Sequence, residues 1–234
     1  MAIIYRLKTG CQWRQLPMKQ FFTVKYSWQS VYYHFQKWSK DGSWEKIWSI
    51  LLKEYKHMLD LSSIQLDGTH TPAKRGGESV SYQGRKKSKT TNTLIITDSQ
   101  GIPIACSDPI AGNHNDAFEL VKTFDKMINT VQLATIPVQG LFLNADSGFD
   151  TAEFRTYCFQ NEIFDNIDRN KRNGNDYESR TVFDELLYKV RFVIERTNAW
   201  LDAFKAILMR FETNNQHWKG LMLLAFSIIL LRRL

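Results

Sequence analysis

Three apolar stretches of this chain each run straight into a carboxylate. Ile64-Gln-Leu66 is followed by Asp67, Leu141-Phe-Leu143-Asn-Ala145 by Asp146, and Phe192-Val-Ile194 by Glu195. An acid at the end of a buried segment is expensive to desolvate unless a cation pairs with it. Three such acids brought together repel one another, and a divalent metal relieves that repulsion. The fold must therefore either gather them around a cation or leave each one in turn or surface chemistry. Both readings stand on spacing alone. Asp67-Gly68 and Asp146-Ser-Gly148 are ordinary turn sequences, and on a helix Glu195 can pair with Arg191 one turn earlier. If they do gather, hard oxygen donors without a matching His/Cys set favour Mg²⁺ or Mn²⁺ over zinc.

The hydropathy pattern changes near residue 60. Before it, residues 30–38 and 44–58 place Trp44, Ile47, Trp48, Leu51, Leu52 and Tyr55 at helical spacing, with Asp41-Gly42 as the turn between. The aromatics of residues 13–48 fit the core of a helical unit, although some could stack on bases. From Ile64 the spacing predicts strands at 64–66, 91–97 and 102–107, with turns at Asp67-Gly68 and 98–101. A helix at 116–129 with Asp116 near its N-cap follows, then a strand at 140–145, a helix at 151–160 and a strand at 162–167. Residues 170–180 read as a polar loop, 181–205 as one long helix or two, and a last helix closes the chain. The expected fold class is α/β: a mixed sheet with flanking helices, preceded by a small all-α N-terminal domain. The domain division is 1–60 and 61–234.

Charge narrows the partners. The net charge is +7, distributed unevenly. Residues 1–60 hold ten Lys/Arg against four Asp/Glu, 61–100 six against three, and 101–160 three against seven. A basic first hundred residues favours a polyanion. Three dispersed cysteines, Cys11, Cys106 and Cys158, exclude a disulfide framework and a thiolate zinc site. The longest apolar run, 221–231 with only Ser227 interrupting it, is shorter than the ~20 residues a bilayer requires, so no membrane partner is expected.

The wording of the motifs adds to this. Tyr188-x-x-Arg191-x-x-x-Glu195 puts three polar groups on one helix face, from which an arginine can grip phosphate as a bidentate fork. Leu66-Asp-Gly-Thr69, Asn144-Ala-Asp-Ser-Gly-Phe149 and this triplet, with the segment from Tyr5 to Pro17 and Asp41-Gly-Ser-Trp44, resemble DDE transposases of bacterial insertion sequences, in the insertion-sequence-five-like group. The resemblance covers nearly the whole chain. It implies an RNase H-like catalytic core, with Asp67, Asp146 and Glu195 as catalytic metal ligands for Mg²⁺ or Mn²⁺, two ions in all. It further implies that Tyr188 and Arg191 contact DNA phosphate, that the partners are double-stranded element ends and target DNA, and that a homodimer forms on DNA in a bacterial cytoplasm. The family signature has a lysine seven residues after the glutamate. Here that position is Asp202; Lys205, one turn further on, is a candidate DNA contact in its place, and the role stays open. Relatives carry some tens of residues before the Tyr5–Pro17 segment, so an N-terminally short chain is expected. The implied function is metal-dependent cleavage at element ends and strand transfer. The alternatives are a metal-dependent nuclease without strand transfer, or an inactive DNA-binding remnant.

Lys74, Arg75, Arg85, Lys86, Lys87 and Lys89 cluster between the first two expected strands. They read as a phosphate-gripping hairpin or loop beside Asp67, with a plain solvated loop as the alternative. Arg169, Lys171 and Arg172 form a second patch. His70 and His114 fall near the expected site without an assigned role.

Overall fold

The computed structural model describes residues 1–171 and 183–233. The chain starts with α1 (Ala2–Thr9), which stops at Gly10 in the left-handed region (φ 68°). A 3₁₀ turn and α2 (Met18–Phe21) follow. Next come α3 (Trp28–Lys40), whose first turn is capped by Ser27, and α4 (Ser43–Tyr55). Val31, Phe35 and Ser39 are the buried stripe of α3, and Trp44, Trp48 and Leu52 that of α4, each at four-residue spacing.

The sheet begins with β1 (Ile64–Pro72), β2 (Ser81–Gln83), β3 (Ser88–Thr97), β4 (Pro103–Cys106) and β5 (Ile110–Ala111). It continues through α5 (Leu120–Leu133), β6 (Phe142–Ala145), α6 (Ala152–Gln160) and β7 (Phe164–Ile167). β3 is antiparallel to β1 and shares its other edge among β2, β5 and β4. β1, β6 and β7 run parallel, and α5 and α6 make the crossovers that parallel pairing requires. The order β4-β3-β1-β6-β7 is an antiparallel meander extended by two parallel strands, the RNase H-like arrangement. The chain then forms α7 (Glu185–Lys189), a 3₁₀ turn at Val190–Phe192, α8 (Val193–Asp202), α9 (Lys205–Leu208) and α10 (Asn215–Leu231).

One buried cluster joins these layers. Leu66, Ile96, Ile104 and Leu143 of the sheet pack with Phe124 and Phe154 of the crossover helices and with Phe35, Trp44 and Trp48 of α3 and α4. Trp48 donates its indole N–H to the Ile104 carbonyl (3.0 Å) and meets Phe226 of α10 edge-on. The apolar run near the C-terminus is thus a buried helix, and among the described residues no helix is long and apolar enough to cross a membrane.

Several expected boundaries move, each for a local reason. β1 does not turn at Asp67-Gly68. It continues to Pro72, with Gly68 paired to Leu94. A Cβ at Gly68 would lie 2.2 Å from Asp116 Oδ1, so the glycine serves a close approach rather than a turn. Asp116 is correspondingly not the cap of α5, which starts at Leu120 behind Glu119. The 181–205 helix is broken into α7, a 3₁₀ turn and α8, and Lys205 opens the separate α9. Most of the expected loop at 170–180, with Arg172, lies outside the described residues.

Candidate active site

β1 and β6 set two carboxylates side by side. In their parallel register Gln65 faces Asn144 and Leu66 faces Ala145, so Asp67 and Asp146 occupy the next step, where β6 ends. Neighbouring strands lie about 4.8 Å apart. Burial, reinforced by Asp146 and Asp116 and opposed by Arg191, pushes the Asp67 carboxyl up to about 7. Asp146 is pinned by its own turn: its Oδ1 accepts the Gly148 N–H at 2.8 Å and caps the 3₁₀ turn Ser147–Phe149. Its turn role and its place beside Asp67 are compatible.

The 3₁₀ turn at Val190–Phe192 packs on β1 and β6 and brings Arg191 to Asp67. The guanidinium also lies 5.4 Å from the Tyr188 ring centroid. Its Nε is buried without a hydrogen-bond partner among the described residues. Burial raises the Tyr188 hydroxyl pKa, with Asp168 and Asp146 adding to the shift. Glu195 sits one turn beyond Arg191 in the first turn of α8 and is exposed. Among the described residues no three His, Cys, Asp or Glu side chains converge as a metal cluster. The structure therefore brings Asp67, Asp146, Arg191 and Tyr188 together, with Glu195 outside the pair.

Sequence reasoning missed a third column. β6 and β7 align Asn144 with Asn166 and Ala145 with Ile167, which puts Asp168 level with Asp67 and Asp146. The signal was present three times over: Gln65-Leu-Asp67, Asn144-Ala-Asp146 and Asn166-Ile-Asp168 are each an amide, an aliphatic residue and an aspartate. It also missed Asp116, whose Oδ1 accepts the Asn92 amide at 2.6 Å beside His70.

The basic residues flank one side. Arg85, Lys86 and Lys87 form the exposed tip between β2 and β3, and Lys86 donates to the His70 carbonyl at 2.8 Å. Lys74 and Arg75 are exposed just beyond β1, Lys89 is exposed on β3, and Arg169 and Lys171 are exposed after β7. Lys205 is exposed at the start of α9, where its backbone lies against Gly10. Burial lowers the His70 pKa. His114 stacks on Phe118 at 3.6 Å and braces the loop before α5.

Residues 59–230 match the family model described as "Transposase DDE domain". The chain belongs to the DDE transposase family. Residues 1–48 match a second model, "Putative transposase of IS4/5 family". A curated relative, "Putative transposase for insertion sequence element IS402" from Burkholderia cepacia, is 31% identical over 119 residues, which are 50% of this chain. The match spans about half of that relative's length, 52%. Among solved structures, a Mos1 transposase paired-end complex with left transposon end overlays at a TM-score of 0.35 and 14% identity, covering 99% of this chain and 77% of that one. A Mos1 mariner paired-end complex with Mn gives 0.35 and 14%, covering 81% and 61%. The fold assignment of this DDE transposase-family chain rests on its strand order and family match, and those loose overlays add no weight.

Proposed function

We propose that this chain is a DNA transposase that cleaves at insertion-element ends and joins the freed 3′-hydroxyl to target DNA. The observation that carries the reading is the pairing of Asp67 and Asp146 at one register step of adjacent parallel strands, with Arg191 reaching the same place. The donor set fits a divalent ion. It consists of oxygen donors, one of them a half-buried carboxylate that loss of solvent, reinforced by Asp146 and Asp116, holds partly protonated near neutral pH. Asp67 and Asp146 would hold Mg²⁺ or Mn²⁺, with Glu195 as third ligand. When bound, two such ions supply an activated water and stabilise the leaving oxygen of a phosphodiester.

The protein's own residues position and neutralise. Arg191, its Nε buried beside the acids, offers a fork to a phosphate oxygen, and Tyr188 holds the guanidinium from the other side. The basic tip at 85–87, with Lys74 and Arg75, grips the backbone of double-stranded DNA approaching β1. Proton and cation compete for Asp67, so acid disfavours binding of the ion. No covalent enzyme intermediate is required, and two copies would act on paired ends.

One observation favours an inactive DNA-binding remnant: Glu195 stands apart from the two aspartates. Nicking of supercoiled plasmid in Mn²⁺ decides between the readings. The expected result is cutting by wild type, at least about 100-fold less by Asp146→Asn, and DNA affinity unchanged within about twofold. Equal cutting by both would sink the carboxylate assignment. No cutting with DNA binding retained would support the remnant. Cutting without joining of a 3′-hydroxyl end would leave a nuclease.

A further inference from the structure

Two residues before each of the three aligned aspartates stands an amide, and the three amides bond to one another in a row across the sheet. Gln65, Asn144 and Asn166 are 0%, 0% and 1% exposed. Asn166 Nδ2 donates to Asn144 Oδ1 (2.8 Å), and Asn144 Nδ2 donates to Gln65 Oε1 (2.9 Å). Gln65 Nε2 in turn donates to Ser63 Oγ (2.9 Å). Aliphatic side chains would fill these positions without the desolvation that amides carry, so the row needs a reason beyond filling the core.

The segment above it supplies one. α7 and the 3₁₀ turn after it contain no buried residue. Leu186 is 75% exposed and Phe192 68%. Hydrophobic burial therefore does little to hold the segment that carries Tyr188 and Arg191. Hydrogen bonds from the amide row take its place. Asn166 makes a peptide-like double pairing with Asp184, accepting its N–H at 2.8 Å and donating to its carbonyl at 3.0 Å. Asn144 gives its second hydrogen to the Leu187 carbonyl at 3.1 Å. Asp184 then caps α7, its Oδ1 accepting the Leu186 and Leu187 N–H groups, both at 2.9 Å.

Resting on the function proposed above, we infer that Asn144 and Asn166 are positioning residues. They hang α7 from the ends of β6 and β7, and so fix Tyr188 and Arg191 relative to Asp67 and Asp146. By the period-two alternation of a strand, amides and aspartates face the same side. The amides dock the helix while the aspartates one step on receive its arginine. Gln65 is the internal control, because its side-chain amide bonds within the row and to Ser63 but not to α7.

The test is hydrogen exchange of the full chain, read at the α7 amides against those of β1 and α10. Asn166→Leu and Asn144→Leu are expected to speed exchange in α7 by about tenfold or more, with β1 and α10 unchanged, whereas Gln65→Leu leaves α7 as in wild type. In the nicking assay the two asparagine variants lower kcat with little change in KM for DNA. Wild-type exchange of α7 in Asn166→Leu would overturn the inference, as would equal loosening by Gln65→Leu. If Asn166→Leu does not melt cooperatively, Asn166→Ala is read in the same way. Loss of cooperative melting in both would also overturn it, since the amide would then hold the whole fold. The exchange readout requires no activity. Faster α7 exchange in Asn166→Leu together with full cutting by Asp146→Asn would refute the catalytic reading and leave the docking intact.

Discussion

Asp67 lies in the middle of a strand, half-buried, next to one acid and near another, with Arg191 as its counterweight. Its folded pKa of about 7 stands above the ordinary 3.8. A raised folded value means that this group's contribution is fully present below about pH 4 and is lost as pH rises through 7. Metal-free protein should therefore lose stability across that window, by up to about 4 kcal/mol at ~1.36 kcal/mol per pH unit. Asp67→Asn should lose less stability than wild type across it, since Asp98, which burial pushes up to about 6, still titrates there, and should melt above wild type at pH 8, a difference that thermal melts in chelator would detect. An Asp67→Asn melt that follows wild type from pH 4 to 8 would contradict this. Gly68 yields a second prediction. Gly68→Ala drives a Cβ into Asp116 and should cost about 1–3 kcal/mol. Adding Asp116→Ala should recover most of that loss, and additive losses would show that the clash is not the cause. The acids themselves were readable in the sequence. The reason for Gly68 was not, because a glycine kept for a turn and one kept for close approach look alike until the partner is known.

At the scale of elements, the order of strands and crossover helices followed from apolar periodicity and turn residues. β2 and β5, three and two residues long, are too short to leave a period. For residues 181–205 the sequence left one helix or two open, and the structure places the division at the 3₁₀ turn Val190–Phe192, in a stretch with no buried residue to mark it by period. The amide-aliphatic-aspartate triplets were legible one by one, and only strand register shows that they share a level. The basic hairpin is a prediction of its own. Replacing Arg85, Lys86 and Lys87 with Gln should weaken DNA binding and flatten log K against log salt by about 0.9 for each phosphate that is no longer neutralised. The melting temperature should barely change, because these side chains are exposed. An unchanged salt slope would leave the tip as a solvated loop.

Across the whole molecule, the helices before residue 60 and the sheet after it share one core through Trp48, Ile104 and Phe226. A second tie runs from α1 to the segment before α10, where the buried Arg6 pairs with Glu212 at 3.2 Å. Composition marks a boundary near residue 60 because helices give way to strands there, and composition cannot show whether two segments bury their faces against each other. A chain of residues 61–234 alone is therefore expected to show no cooperative melt by circular dichroism, and a sharp transition would establish the two parts as independent. The claim on which the rest depends is that the Asp67–Asp146 pair is a divalent-ion centre. Titration of the full chain with Mn²⁺, followed by the electron paramagnetic resonance of the free ion, tests it most directly. Asp67→Asn and Asp146→Asn should each weaken Mn²⁺ binding about tenfold or more, and Glu195→Gln should weaken it if that residue completes the set. Wild-type Mn²⁺ affinity in both aspartate variants would contradict the account.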